Sequence, residues 1–243
     1  MHAVSEYIAA RTAELETNPF IVWLSDESIP AEERLSAWLP CAAFFVFGFM
    51  DLNAVVLRYS EEEAAGDPLK KAINDHVAED SNHWAWYLSD LRKLGLDRTM
   101  KFSEALRFLW GKETASQRIA TYQFCVLASR AEDPRVRYCL LAALESYAHL
   151  LFGRVVRVAE IFERESATKL AYLGPVHFER EPGHLANQHD ETEEELLHQA
   201  LDAPTRALGM EIAGKVCDLI DRRWREFHRF AQSGRHKEVR AAV

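Results

Sequence analysis

Two stretches of this chain, 101 residues apart, carry the same order of metal-ligating side chains: His76-x3-Asp80-x2-His83 and His177-x3-Glu181-x2-His184. At ~100° per residue on an α-helix, the positions of each triplet fall within an arc of roughly 60°, so two imidazoles and a carboxylate face one point. With 10 His and 38 Asp plus Glu in 243 residues, independent placement would produce the pattern about 0.06 times. Two such triplets facing each other would form a metal cage. Imidazole and carboxylate ligands without a cysteine cluster suit iron, manganese or zinc. Asp80-x2-His83 and Glu181-x2-His184 each supply the acid-x-x-His half-site with which helical bundles hold two iron ions.

A dinuclear centre also needs a bridging carboxylate from another helix. Glu145 is the best candidate, because it interrupts the apolar stretch Leu140 to Leu151 and an uncompensated buried carboxylate costs several kcal/mol. Each residue also has a plainer reading, since a single helical His is more often a surface or satisfied core residue than a ligand. The repeated spacing and Glu145 weigh against that for His83, His177 and His184. His76 serves equally well as a ligand or as a hydrogen-bond partner behind one. Glu79 and Asp80 compete for one place, and the spacing of the second triplet favours Asp80. His149, one turn after Glu145, is placed to hydrogen-bond a ligand or, more simply, to pack in the core. The aromatic run Phe44 to Phe49 reads as core before it reads as substrate channel, and His189, His198 and His228 read as surface.

Helical periodicity dominates the elements that must position these residues, and no window alternates as a strand does. The reading is all-α, a single domain of seven or eight helices over residues 1–243, with a frayed basic tail at 234–243. A first helix runs from Ser5 to Glu16. Pro30 opens a long second one, kinked at Pro40, through Leu35, Trp38, Phe45, Phe49, Leu52 and Val56. Asp67-Pro68 starts a third, which carries the first triplet and stops at Gly95. Shorter segments follow at Ser103 to Trp110, with Ser103 as N-cap, and at Glu113 to Arg130. Pro134 to Glu165 then presents Leu140, Leu144, Tyr147, Leu151, Val155 and Val158 to the core. The second triplet lies in Thr168 to Asn187, Asp190 to Glu195 begin a surface helix, and Ala203 to Ser233 closes the chain.

A formal charge of −9 argues against nucleic acid or an anionic membrane as partner, since both demand a basic face. The longest apolar run, Ala37 to Met50, is too short for a span. Cys41, Cys125, Cys139 and Cys217 lack C-x-x-C spacing and sit among apolar neighbours, as free thiols in a reducing cytoplasm do. The first residues carry neither the basic nor the apolar region of a secretory signal.

The stretch His76 to Gly95, with Glu145 in an apolar helix and His177-x3-Glu181-x2-His184 beginning 32 residues later, resembles the ligand segments of the haem-oxygenase-like diiron oxidases. The resemblance spans roughly residues 30 to 230, and its specific part is the ligand segments. It implies a seven-helix haem-oxygenase-like bundle, two irons between three core helices, and dioxygen as co-substrate in the oxidation of a small metabolite such as an amino acid or fatty acid. Carried over by position, the ligands are Asp80 or Glu79 with His83, then Glu145, then His177, Glu181 and His184. The chain has His76 where many members have a Glu, and Pro182-Gly183 inside the third motif, which makes the second iron site labile. Two rival classes stay open. One is a cofactor-independent or hydrolytic enzyme like the thiaminase-like and quinone-cofactor-synthase relatives, which needs Cys125 or Cys139 in the cavity. The other is a non-enzymatic, ferritin-like iron binder; a single axial His for haem would leave the paired acids unexplained. A homodimer through the last helix is compatible with the pattern.

Overall fold

The computed structural model describes residues 1–79, 83–180 and 200–239. Among them every regular element is helical, in a compact all-α arrangement. The first half holds α1 (His2–Glu14), α2 (Pro19–Leu24), α3 (Ala31–Ser36), α4 (Ala43–Asp51), α5 (Glu61–Ala65), α6 (Pro68–Glu79) and α7 (His83–Lys93). The second holds α8 (Phe102–Trp110), α9 (Ala115–Arg130), α10 (Pro134–Ser166), α11 (Pro175–Arg180) and α12 (Ala203–Gln232).

The core is built on α10 and α12, which share the most extensive interface, with α1 and α2 laid on α12, α3 on α10, and α4 against α7 and α9. The apolar stripe expected for α10 is buried throughout, from Leu140 and Leu144 to Val155 and Val158, and meets Ile212, Val216, Ile220 and Trp224 of α12. The long apolar stretches 31–57 and Pro134–Ser166 have the length and hydropathy to cross a membrane, yet half or more of the most apolar window of each is buried inside the bundle. Packing against other helices accounts for that apolarity.

Several boundaries fall where local chemistry dictates. Asp67 accepts the backbone N–H groups of Leu69 (2.9 Å) and Lys70 (3.2 Å), capping α6. Gly95 ends α7 in the left-handed region (φ 67°). Its N–H donates to Arg92 and that of Leu96 to Leu91, a Schellman closure that glycine permits without steric cost. The long second helix expected from Pro30 is instead divided into α3, a 3-10 turn Leu39–Ala42, α4 and a π-helical turn Leu52–Leu57. Pro40 has no N–H to continue the ladder, so the chain tightens there rather than kinking within one helix. This division, together with the short helices α2 and α5, puts the helix count among the described residues above the expected seven or eight.

Three other expectations are corrected. α8 begins at Phe102 with Lys101 in the cap position, not Ser103, because the Glu104 carboxylate accepts the Lys101 N–H at 3.3 Å. The segment from Thr168 is not helical until Pro175, since buried carboxylates draw its N–H groups away from a helical ladder. Within the tail expected to fray, residues 235–238 form a 3-10 turn, and 240–243 lie outside the described residues. His236 and Val239 are buried there, and Arg98 donates to the carbonyls of Glu238 (3.0 Å) and Val239 (3.2 Å). The acidic stretch Asp190 to Glu195, with His189 and His198, lies outside the described residues.

Candidate functional site

Four helices bring the chemistry together. α10 places Glu145 about a third of the way along its length, just after buried Leu144 and before Tyr147 and Ala148. α6 turns the buried His76 toward it, with Nε2 3.1 Å from Glu145 Oε1. α7 begins with His83, whose ring stacks on Trp86 one turn later (5.2 Å, 24°). α11 carries His177, which is 1% exposed.

His177 is positioned by backbone that a buried acid organises. Asp90, on the inner face of α7 and fully buried, accepts the N–H groups of Ala171, Tyr172 and Leu173 at 2.8, 2.8 and 2.9 Å. Burial raises the Asp90 pKa, against the pull of those donors and of Lys93. Glu163 of α10 captures the Leu170 N–H at 2.9 Å and pairs with Lys169 at 2.6 Å. Gly174 completes the turn, because a Cβ there would lie 2.3 Å from the Leu170 carbonyl oxygen. The Tyr172 carbonyl then receives the Nδ1–H of His177 at 2.8 Å. A carbonyl only accepts, so the neutral ring carries its proton on Nδ1 and leaves a lone pair on Nε2.

That Nε2 points at His83 Nδ1, 3.2 Å away. Phe152 and Tyr172 enclose the ring, with centroids 4.5 and 4.9 Å distant. Burial drives the His177 pKa down to about 3, with the neighbouring His83 adding to the effect and the Tyr172 carbonyl opposing it. His177 is therefore neutral at physiological pH, the form in which an imidazole binds a metal. His83, Glu145 and His177 line one cavity of about 30 Å³, walled by Phe45, Val46, Phe49, Ala148, Phe152 and Tyr172. It has room for roughly two waters.

These donors fit a metal ion in type and in one distance. Two imidazole nitrogens bound to one ion at about 2.0–2.1 Å lie roughly 3.0–3.4 Å apart, depending on geometry, and 3.2 Å separates the two histidines. His76 holds the Glu145 carboxylate from behind, the partner relation that orients metal ligands elsewhere. Among the described residues, no three of His, Cys, Asp and Glu converge on one ion-sized point. Asp80, Glu181 and His184, the remaining acids and imidazole expected there, lie outside the described residues, as does the Glu79 side chain. The chain matches no family model and no curated protein.

His149 is corrected: it is exposed and stacks on Phe178 (5.3 Å), one turn from Glu145 but turned away from the cavity. The aromatic run divides its work, with Phe45 and Phe49 lining the cavity and Phe47 packing on Trp84 and Tyr87. Neither Cys125 nor Cys139 lines the cavity. Burial raises both thiols, Cys139 to about 11, which leaves them protonated and poorly nucleophilic.

Two further buried groups were legible by the criterion that singled out Glu145, a charge inside an apolar helical face. One is Asp90. The other is Arg223 of α12, 3% exposed, which donates to Gln117 Oε1 (2.6 Å), the Gln117 carbonyl (3.2 Å) and Thr121 Oγ1 (3.1 Å). Its guanidinium lies over the Phe45 ring at 4.8 Å, and burial lowers its pKa to about 10.

Proposed function

We propose that the chain is a metal-dependent oxidase or oxygenase of a small organic substrate, with non-haem iron as the metal and dioxygen as co-substrate. The observation that carries this reading is the convergence of a neutral His177, His83 and a supported Glu145 on one cavity with otherwise mostly apolar walls. Iron bound there would supply electrons and open positions for dioxygen. The protein's own contribution is fourfold. His177 offers a neutral nitrogen and His83 a second imidazole beside it. His76 holds the Glu145 carboxylate in place. The Tyr172 carbonyl fixes the His177 tautomer, and the Phe45, Phe49 and Phe152 rings exclude water. Asp80, Glu181 and His184 complete the ligand set, with Glu79 the alternative to Asp80.

The cavity has room for dioxygen or two waters. The four free thiols suit a cytoplasmic setting, and the acidic balance suits a small-molecule substrate rather than nucleic acid. The test is anaerobic loading with ferrous iron, followed by oxygen, for the wild type, Glu145→Ala and a His177→Ala, His184→Ala double variant. Near two irons per chain with an oxygen-dependent visible chromophore, lost in the double variant, is the expected result. Iron uptake indifferent to the substitutions would remove the metal reading. Oxygen consumption that stops at the iron stoichiometry across amino-acid and fatty-acid substrates would transfer it to iron storage.

A further inference from the structure

Six large apolar side chains stand exposed on two consecutive helices. They are Phe102, Leu106 and Trp110 of α8 and Ile119, Tyr122 and Val126 of α9, between 40% (Leu106) and 78% (Phe102) exposed. Their spacings, i, i+4, i+8 and i, i+3, i+7, put each trio on one side of its helix. α8 contains no buried residue at all, although its apolar stripe is as regular as that of any core helix. α9 turns Ala120, Phe124 and Leu127 inward and Ile119, Tyr122 and Val126 outward. A helix apolar on both sides is ordinarily covered on both sides.

The two stripes are fixed relative to each other. Thr114 Oγ1 donates to the Leu109 carbonyl at 2.6 Å and Arg118 Nη1 to the same oxygen at 2.7 Å. The Arg118 guanidinium also lies over the Trp110 ring at 5.6 Å, and Tyr122 follows one turn later on α9. The two stripes are therefore held at the corner where α8 meets α9, so little ordering is lost there when the face is covered. Together the six residues expose roughly 700 Å², against ~300–600 Å² for the largest contiguous patch on an ordinary monomer. That area approaches the ~800 Å² that each partner contributes to a standard interface. Phe102, Trp110 and Tyr122 are of the aromatic type enriched at interfaces, as is Arg118, which lies over the Trp110 ring.

We propose that the α8–α9 face is the contact between two copies of this chain, in a two-fold dimer in which the patch meets itself. A second copy fits the area and the composition, whereas the chain's net charge of −9 disfavours an anionic lipid surface. The contact also bears on the cavity. From its inner side α9 holds α4 through the Thr121 hydroxyl, which donates to the Phe44 carbonyl at 3.1 Å, and α4 supplies Phe45 and Phe49 to the cavity wall. Pairing across α9 would brace that wall from behind.

The test is the mass of the full chain in solution by light scattering or sedimentation. A particle twice the 27.8 kDa of the chain is expected at micromolar concentration. A Tyr122→Glu, Val126→Glu double variant and, separately, Phe102→Glu should run as monomers with unchanged far-UV circular dichroism. Val22→Glu, at an exposed apolar position of α2 outside the patch, should stay dimeric. If the double variant loses helical signal, Phe102→Glu decides. A wild type that remains at 27.8 kDa up to about 100 µM, or a dimer that survives both sets of substitutions, would overturn the proposal. A monomer that co-floats with phosphatidylcholine vesicles would do the same, assigning the face to lipid.

Discussion

At the scale of single residues, the candidate site depends on groups whose charge state is set by burial. His177 is neutral in the folded protein because its ring is buried, and its pKa is near 3, against about 6.5 in the unfolded chain. The unfolded chain therefore binds the extra proton between those values. Stability is fully present above pH 6.5 and is lost as the pH falls toward 3. In metal-stripped protein, the wild type should lose on the order of 3 kcal/mol more than His177→Phe between pH 7 and pH 4, read from urea unfolding at both pH values. An equal loss in the two proteins would mean that His177 protonates freely in the fold. Asp90 is the second such residue. Asp90→Ala leaves the N–H groups of Ala171, Tyr172 and Leu173 without their acceptor and should cost about 3–5 kcal/mol in the same measurement.

At the scale of elements, the segment between α10 and α11 makes the site possible by declining to be a helix. Its N–H groups go to Glu163 and Asp90 instead of to carbonyls four residues back, and this turns α11 so that His177 faces α7. Gly174 is where the turn has no spare room. Gly174→Ala should lower the melting temperature by about 3–10 °C, from a cost of roughly 1–3 kcal/mol, and should weaken iron uptake by displacing His177. Gly66→Ala is the control, since no atom lies within 4 Å of the added Cβ and its melting temperature should stay within about 2 °C of wild type. Equal shifts in the two variants would mean that the Leu170 carbonyl yields easily.

Across the whole molecule, α4, α9 and α12 are tied together by a buried cation that has no carboxylate beside it among the described residues. Arg223 spends its donors on Gln117 and Thr121, and Gln117 returns a bond from Nε2 to the Arg223 carbonyl at 3.1 Å. Thr121 in turn bonds α4, so one cross-brace spans three helices behind the cavity. Gln117→Leu removes its strongest acceptor and should destabilise the fold by about 2–4 kcal/mol. The check is chemical denaturation, with unfolding still a single transition. A loss below about 0.5 kcal/mol would mean that water replaces the glutamine.

The amino-acid sequence determined the helical class, the buried stripe of α10, the Gly95 stop of α7 and the nomination of His83, Glu145 and His177, because periodicity and ligand spacing are local properties. Only the tertiary structure decided which nominated residues meet. His149 repeats at the same helical spacing that links ligands elsewhere, yet the phase of α10 turns it to solvent against Phe178. The break before α11 was illegible locally, because helix propensity from Thr168 onward is overruled by carboxylates seven and more than eighty residues away along the chain. The same distance dependence hid the outward stripe of α9, where periodicity marks apolar faces without saying what will cover them.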